Sequence, residues 1–321
     1  MTLLIILMVW SLGILVTMSW SNSFQNGLKG KLVLAPLTRG GNLAFRRLCA
    51  DFGATHTMSE MAIARNLFRG YHKAIKKERA LCRKAEADNS LFGFQIATKS
   101  SDEAIRASQF AKENGADWID LNCGCPIWEA TSKGLGVSLL EKPDRLFKMV
   151  NLFTAESVLP VSVKIRIGVS DSKVNVNEVV EGLREAGAQA VTIHGRSGEA
   201  RYSKPANWSL LSDVARKHHH ALPIIGNGDI LTHYECENRL AGGDVDGLMT
   251  GRGALIKPWI FKEALEGKSY DPTPEERVAI YHRLAQYFKE QFGDDDFGKR
   301  HAFYFLPWHF NFFCRYSSWY Y

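Results

Sequence analysis

Between residues 31 and 268, short apolar runs alternate with longer amphipathic stretches. The runs are Lys31–Pro36, His56–Glu60, Leu91–Ile96, Trp118–Asn122, Val161–Arg166, Ala190–His194, Pro223–Asn227 and Asp246–Thr250. Several are apolar at consecutive positions (LVLA, VTI, PII) rather than at alternate ones. That pattern marks strands buried on both faces, and so a parallel sheet. The stretches between them carry helix start and stop signals. Asp102–Asn114 opens with two acidic residues and ends before Gly115, Pro143–Phe153 opens with proline, and Asn175–Ala186 runs to Gly187. Eight strand–helix alternations predict an α/β fold, a (β/α)8 TIM barrel over 31–268. The main rival is a doubly wound open sheet, but no G-x-G-x-x-G follows the first run.

The two ends break the pattern. Residues 1–28 contain no Asp, Glu, Lys or Arg, and Met1 to Trp20 is almost wholly apolar. Residues 1–30 are therefore a hydrophobic N-terminal extension. It reads either as a membrane anchor through residues 3–20 or as a non-native start that plays no part in the fold. At the other end, Thr273-Pro274-Glu275-Glu276 forms a capping box that predicts a helix over Pro274–Phe292. A second helix is expected over Gly298–Tyr316. Residues 297–321 hold twelve Phe, Trp and Tyr, a density that needs something to cover it. Residues 269–321 thus form a short, partial helical domain.

Composition adds limits. The apolar share of 45% and charged share of 23% exclude disordered and fibrous classes. Six Cys in 321 residues are too few for a disulfide-stapled scaffold. The net charge of +6 is mild, but its placement is not. Segment Arg65–Glu86 holds eight Lys or Arg and two Glu, a net +6 by itself. It follows the second strand, on the face where barrel active sites collect. Lys73, Lys76 and Lys77 are its candidates for guiding a nucleic acid, against the plainer reading of a solvated basic helix face.

Barrel sites collect at the C-terminal ends of the strands. In order, those ends supply Pro36, Glu60, Gln95, Asn122-Cys123-Gly124-Cys125, Lys164 with Arg166, His194 with Arg196, Gly226-Asn227-Gly228-Asp229, and Gly251-Arg252-Gly253. The two glycine-rich loops fall after strands seven and eight, where this fold commonly binds phosphate, and Arg252 can add a charged contact. Lys164 and His194 suit the electron-rich edge of a flavin ring. The alternatives are an ion-paired barrel lysine and a structural histidine.

Cys123 and Cys125 are too close for an unstrained disulfide and too few for a zinc site. A free thiol with a pKa of about 8.5 stays protonated at neutral pH and can serve as an acid. Cys125, beside Pro126, is the better placed, and Cys123 reads as structural. Cys49, Cys82, Cys236 and Cys314 lack ligand spacing. His218-His219-His220 sits at a helix end and reads as solvated, so no metal is expected.

These residues resemble the flavin-dependent tRNA-dihydrouridine synthases. The matching segments are LAPLTRGGNLAFRRLC, MSEMA, FGFQIA, DLNCGCP, VKIRIG, VTIHGRSGEARYSKPANW, IIGNGDI and TGRGALIKPWIF, in unbroken order across nearly all of 31–266. The forms NCGCP and RGALIKPWIF look closest to the eukaryotic branch that modifies the variable-loop uridine. The resemblance implies an FMN-binding barrel and a helical domain that helps hold tRNA. It implies that NADPH reduces the flavin, that hydride passes to uridine C6, and that Cys125 protonates C5. Carried over by residue, Pro36, Gln95, Lys164, His194, Asn227, Gly228, Asp229, Gly251 and Arg252 would contact the flavin. Asn122, Arg166 and Arg196 would face the substrate, a base unstacked from folded RNA.

There are departures. No Cys-His zinc finger precedes the barrel, and the helical segment is short and not basic, with six Lys or Arg against seven Asp or Glu in 269–321. Two other readings remain open: a flavin barrel enzyme on a free pyrimidine, as in dihydroorotate dehydrogenases, and an inactive RNA- or flavin-binding remnant. The expected setting is cytoplasmic or nuclear and the expected state a monomer.

Overall fold

The computed structural model describes residues 24–68, 90–218 and 221–315. Strands β1 (Leu32–Leu34), β2 (His56–Met58), β3 (Leu91–Ala97), β4 (Trp118–Cys123), β5 (Val161–Arg166), β6 (Ala190–His194), β7 (Ile224–Asn227) and β8 (Gly247–Thr250) pair in parallel, each with the next in sequence. β8 returns to β1 through Leu32↔Leu248, which closes the barrel. Every predicted run is a strand, with ends shifted by a residue or two. β7 starts after Pro223, which has no N–H for the ladder and gives only its carbonyl, to Val191 N at 3.0 Å.

Helices cover the outside in the order α1 (Leu43–Asp51), α2 (Ser101–Glu113), α3 (Pro143–Glu156), α4 (Val176–Glu185), α5 (Trp208–His218) and α6 (His233–Ala241). The stop signals act as the sequence suggests: Gly115 and Gly187 take φ of 84° and 88° just past α2 and α4. Buried Leu, Ile, Val and Ala of the strands meet the apolar stripes of these helices in one continuous core.

The N-terminal mouth of the barrel is shut. Residues 24–28 form a short helix. Phe24 lies 5.6 Å from the Trp118 ring, and Gln25 Nε2 donates to the Gln189 carbonyl at 3.1 Å. Trp118 crosses β3 where residue 93 is glycine; a Cβ there would sit inside the indole. The stretch 3–20 and the basic residues 69–89 lie outside the described residues. Among the described residues no helix is long and apolar enough to cross a membrane.

After β8 come α7 (Arg252–Ile256), α8 (Ile260–Glu266), α9 (Pro274–Phe292) and α10 (Asp296–Phe313). The Thr273–Glu276 capping box forms as the sequence predicts. The barrel and α9 cover one face of the aromatic helix α10. Phe305, His309 and Phe313 of α10 are buried with Phe45 of α1 and Trp259, in a second core that also takes Leu284 and Phe288 of α9. Arg47 pairs with Glu290 at 2.8 Å across the same junction. Phe303, Tyr304 and Phe310 stay exposed on α10.

Candidate active site

The strands' C-terminal ends surround a cleft of about 530 Å³. Pro36, Asn122, Cys125, Lys164, Arg166, His194, Arg196, Asn227, Gly228, Asp229, Gly251 and Arg252 all line it. Of the predicted residues that the structure describes, Gln95 alone does not. Its side chain is fully buried under the floor. Lys73, Lys76 and Lys77 lie outside the described residues, but Ala62–Ile63, just ahead of their segment, pairs with the C-terminal end of β3 at Ile96–Ala97.

The floor is a chain of amides. Gln95 Nε2 donates to Asp120 at 2.8 Å, and Asn122 Nδ2 donates to Gln95 Oε1 at 2.8 Å. Asn122 Oδ1 accepts from the backbone N–H of Cys125 at 2.9 Å and of Gly124 at 3.2 Å. This holds the loop that carries Cys125. Burial raises the Cys125 thiol above its ordinary pKa, although the Ile127 N–H and the charges of Arg166 and Lys164 pull the other way. The thiol is therefore protonated at neutral pH, with cations nearby to stabilise the thiolate once the proton leaves. Cys123 is fully buried and pushed up further, in keeping with a structural role.

Beside this loop lies a cationic wall. Lys164 Nζ donates to Asn227 Oδ1 at 3.0 Å, while Asn227 Nδ2 donates to the Met249 carbonyl at 2.8 Å. Burial, then the neighbouring Arg166, lowers the Lys164 pKa to about 8. Arg166 donates to the carbonyls of Gly124 and Ser197 at 2.8 and 2.7 Å, tying β5 to the Cys125 loop.

Asp229 does more than line the wall. Its carboxylate accepts from Arg196 Nη2 with both oxygens at 2.7 Å, from Arg252 Nη2 at 2.8 Å and from the Ala206 N–H at 2.8 Å. Burial raises its pKa, but these bonds and charges outweigh that and hold it below the usual carboxylate value. Asp229 takes φ of 54°, and Gly228 before it takes 122°, where a Cβ would come within 2.7 Å of Ala206 Cβ. The carboxylate is thus a clamp on two guanidiniums, both of which line the cleft.

Arg196 is only 4% exposed and fully engaged: Nε donates to the Lys204 carbonyl, Nη2 to Asp229 and Nη1 to His194 Nε2 at 3.3 Å. A guanidinium only donates, so His194 Nε2 accepts and the ring proton sits on Nδ1. Burial first, then the charges of Lys164, Arg166, Arg196 and Arg252, holds His194 neutral far below its ordinary pKa. His194 is a fixed hydrogen-bond donor, not a titrating acid.

Several lining groups escaped the sequence reading. Arg201 and Tyr202 enter from the loop after β6, with the Arg252 guanidinium 4.6 Å from the Tyr202 ring. Trp308 and Phe312 of α10 close one side, and Arg39 stacks on Tyr304 at 3.9 Å. Asp120 had a signal: it stands two positions before Asn122 on one strand, and so on the same inward face. Among the described residues no group of three or more His, Cys, Asp or Glu is placed to hold a metal.

The family described as Dihydrouridine synthase (Dus) matches residues 33–319. A tRNA-dihydrouridine(47) synthase (NAD(P)(+)) of Cryptococcus neoformans is 39% identical over 285 residues, 84% of this chain and 39% of that protein. Proteins called tRNA-dihydrouridine(47) synthase (NAD(P)(+))-like are 38% identical in Oryza sativa subsp. japonica, over 89% of this chain and 41% of theirs, and 36% identical in Homo sapiens, over 90% and 44%. The chain spans about two fifths of the length of these relatives. Among solved structures, histamine dehydrogenase from Rhizobium sp. 4-9 superposes with a TM-score of 0.56 at 12% identity, over 80% of this chain and 49% of that one. A 2-naphthoyl-CoA reductase complex gives 0.56 at 14%, over 75% and 48%. At such identities the likeness is one of fold.

Proposed function

The chain belongs to the dihydrouridine synthase family, and from that premise we propose that it reduces a uridine of tRNA, at position 47 by analogy with its relatives, to 5,6-dihydrouridine. The observation that carries this reading is Cys125: a thiol kept protonated by burial, in the same cleft as a wall of cations. The residues suit FMN. Lys164, Arg166, Arg201 and Arg252 face a cleft in which Asp229 is the one described carboxylate, and Asp229 is already spent on two arginines. Lys164 and the Nδ1–H of His194 would hold the flavin ring's polar edge, and Arg252 with the Gly228 and Gly251 loops its phosphate.

When bound and reduced by NADPH, the flavin supplies hydride to uridine C6. Everything else falls to the protein. Cys125 Sγ–H gives its proton to C5, so the C5–C6 double bond gains one hydride and one proton and a thiolate remains. The positive charges of Arg166 and Lys164 and the Ile127 N–H favour that thiolate. Arg166 also fixes the loop through the Gly124 carbonyl. Trp308, Phe312 and Tyr202 line the cleft, and an unstacked base would stack on aromatics of this kind. The basic segment with Lys73, Lys76 and Lys77 would attract the RNA backbone to this end of the barrel.

The test is direct. The purified holoenzyme, given NADPH and an unmodified tRNA transcript, should oxidise NADPH and form dihydrouridine. Cys125→Ala should keep the flavin spectrum and NADPH oxidation yet lose dihydrouridine. A preparation without flavin absorbance, or full activity in Cys125→Ala, overturns the reading.

A further inference from the structure

We infer that Arg39 is a phosphate contact on the rim of the cleft: stacked on Tyr304, with its N–H groups unspent, it takes a phosphodiester of the RNA near the extruded uridine. The inference rests on the proposed reaction and names a point where the substrate's backbone meets the rim.

Arg39 follows Leu37 and Thr38, which line the cleft, in the loop between β1 and α1. Its guanidinium lies 3.9 Å from the centre of the Tyr304 ring and 5.8 Å from that of Trp308, itself a lining residue. Arg46, Arg47 and Arg277, on the same seam between the barrel and the last two helices, are spent on the protein. Arg46 Nε donates to the Gly41 carbonyl at 3.0 Å, Arg47 Nη1 to Glu290 at 2.8 Å and Arg277 Nη2 to the Phe313 carbonyl at 3.0 Å. Arg39 differs. Among the described residues its guanidinium meets two rings and no hydrogen-bond acceptor. Stacking uses the face of a guanidinium and leaves the N–H fork at its edge, which matches a phosphate.

The loop holds the side chain at this place. Arg39 takes φ of 68°, a left-handed backbone that is costly for any residue but glycine. Asn42 Nδ2 donates to the Arg39 carbonyl at 2.6 Å while its Oδ1 accepts from the Phe45 N–H at 3.0 Å. At Gly41 a Cβ would stand 2.4 Å from the Glu60 nitrogen, so the loop is pressed against the end of the second strand. The other two described non-glycine residues with positive φ, Arg201 and Asp229, both line the cleft. Strain of this kind gathers where side chains have work to do. Glycine at 39 would avoid it, so what arginine adds there is its charge. Tyr304 is 61% exposed and Phe303 beside it 80%. The contact opens outward on the rim, toward a macromolecule lying across the mouth rather than a small cofactor within it. That favours an RNA phosphodiester over the phosphates of NADPH.

The test is filter binding of a full unmodified tRNA transcript to the oxidised holoenzyme over a series of KCl concentrations. Arg39→Gly suits the backbone and removes the charge. It should weaken binding by about tenfold at low salt. It should also make the fall of log affinity with log salt shallower by roughly 0.7–0.9, with a melting temperature near wild type. Arg39→Lys should keep the wild-type slope, since an ammonium still meets a phosphate as a point charge. An unchanged slope in Arg39→Gly, or a lost one in Arg39→Lys, overturns the inference. So does weaker binding that comes with a clearly lower melting temperature, which marks a clip between barrel and α10. A raised KM for NADPH at unchanged tRNA affinity overturns it too, in favour of a cofactor phosphate. The slope is read without turnover, so absence of dihydrouridine with wild type is a separate failure, that of the proposed reaction.

Discussion

The same eight strands end in two different ways. At their N-terminal ends the interior is apolar: Phe24, Leu28, Val33, Met58, Trp118 and Ile225 pack into one cluster, and the space left among them is about 10 Å³. At their C-terminal ends the interior is polar and opens into about 530 Å³. The difference arises within single strands. On β4, Trp118 fills the closed mouth, Asp120 sits below the floor and Asn122 reaches the cleft, each two residues on. A strand that runs from oil to charge in five residues lets stability and chemistry be set separately.

Substitutions at the two ends should therefore part company. The largest effect belongs to the open end: Cys125→Ala should lower dihydrouridine formation by roughly 10²- to 10⁴-fold with little change in melting temperature, measured by nucleoside mass spectrometry and calorimetry. Next is the closed end. Trp118→Ala should destabilise the fold by about 3–5 kcal/mol in urea titration, while activity per folded molecule stays near wild type. Equal damage to both readouts at either position would erase the distinction.

A smaller change is expected at the clamp. Asp229→Asn removes the charge that gathers Arg196 and Arg252, and should weaken flavin retention by about tenfold, seen by dialysis and fluorescence. The smallest is a pH effect. The Lys164 pKa is lowered from 10.5 to about 8, so its charge is present below that pH and lost as pH rises through it. Flavin affinity should fall above about pH 8 and lose that dependence in Lys164→Gln. Between the two values the unfolded chain binds more protons than the folded one, so this group adds stability as pH rises there. His194, already neutral, should add no limb near its ordinary value.

The strands are legible because parallel burial writes itself as consecutive apolar residues, and their ends bring Cys125, Lys164, His194 and Arg252 to one cleft. Other roles depend on partners far away in sequence. Arg196 reads as a substrate contact, and nothing in the sequence says that Asp229, 33 residues on, holds it at the cleft. Gln95 reads as a cofactor contact until Asp120 and Asn122 take its amide from both sides. The helix at 24–28 gave no periodic signal, since FQNGL is five residues long with only Phe24 and Leu28 apolar. Trp308 and Phe312 were visible as aromatics in need of cover, but nothing local says that they wall the cleft.

The central claim is that the buried thiol of Cys125 delivers the proton that completes uridine reduction. The most direct measurement is mass spectrometry of one tRNA transcript after incubation with NADPH and either wild-type holoenzyme or Cys125→Ala. Wild type should add one pair of hydrogens to a single uridine and the variant none, with both oxidising NADPH. The same hydrogenated uridine at the same rate from the variant would contradict the account.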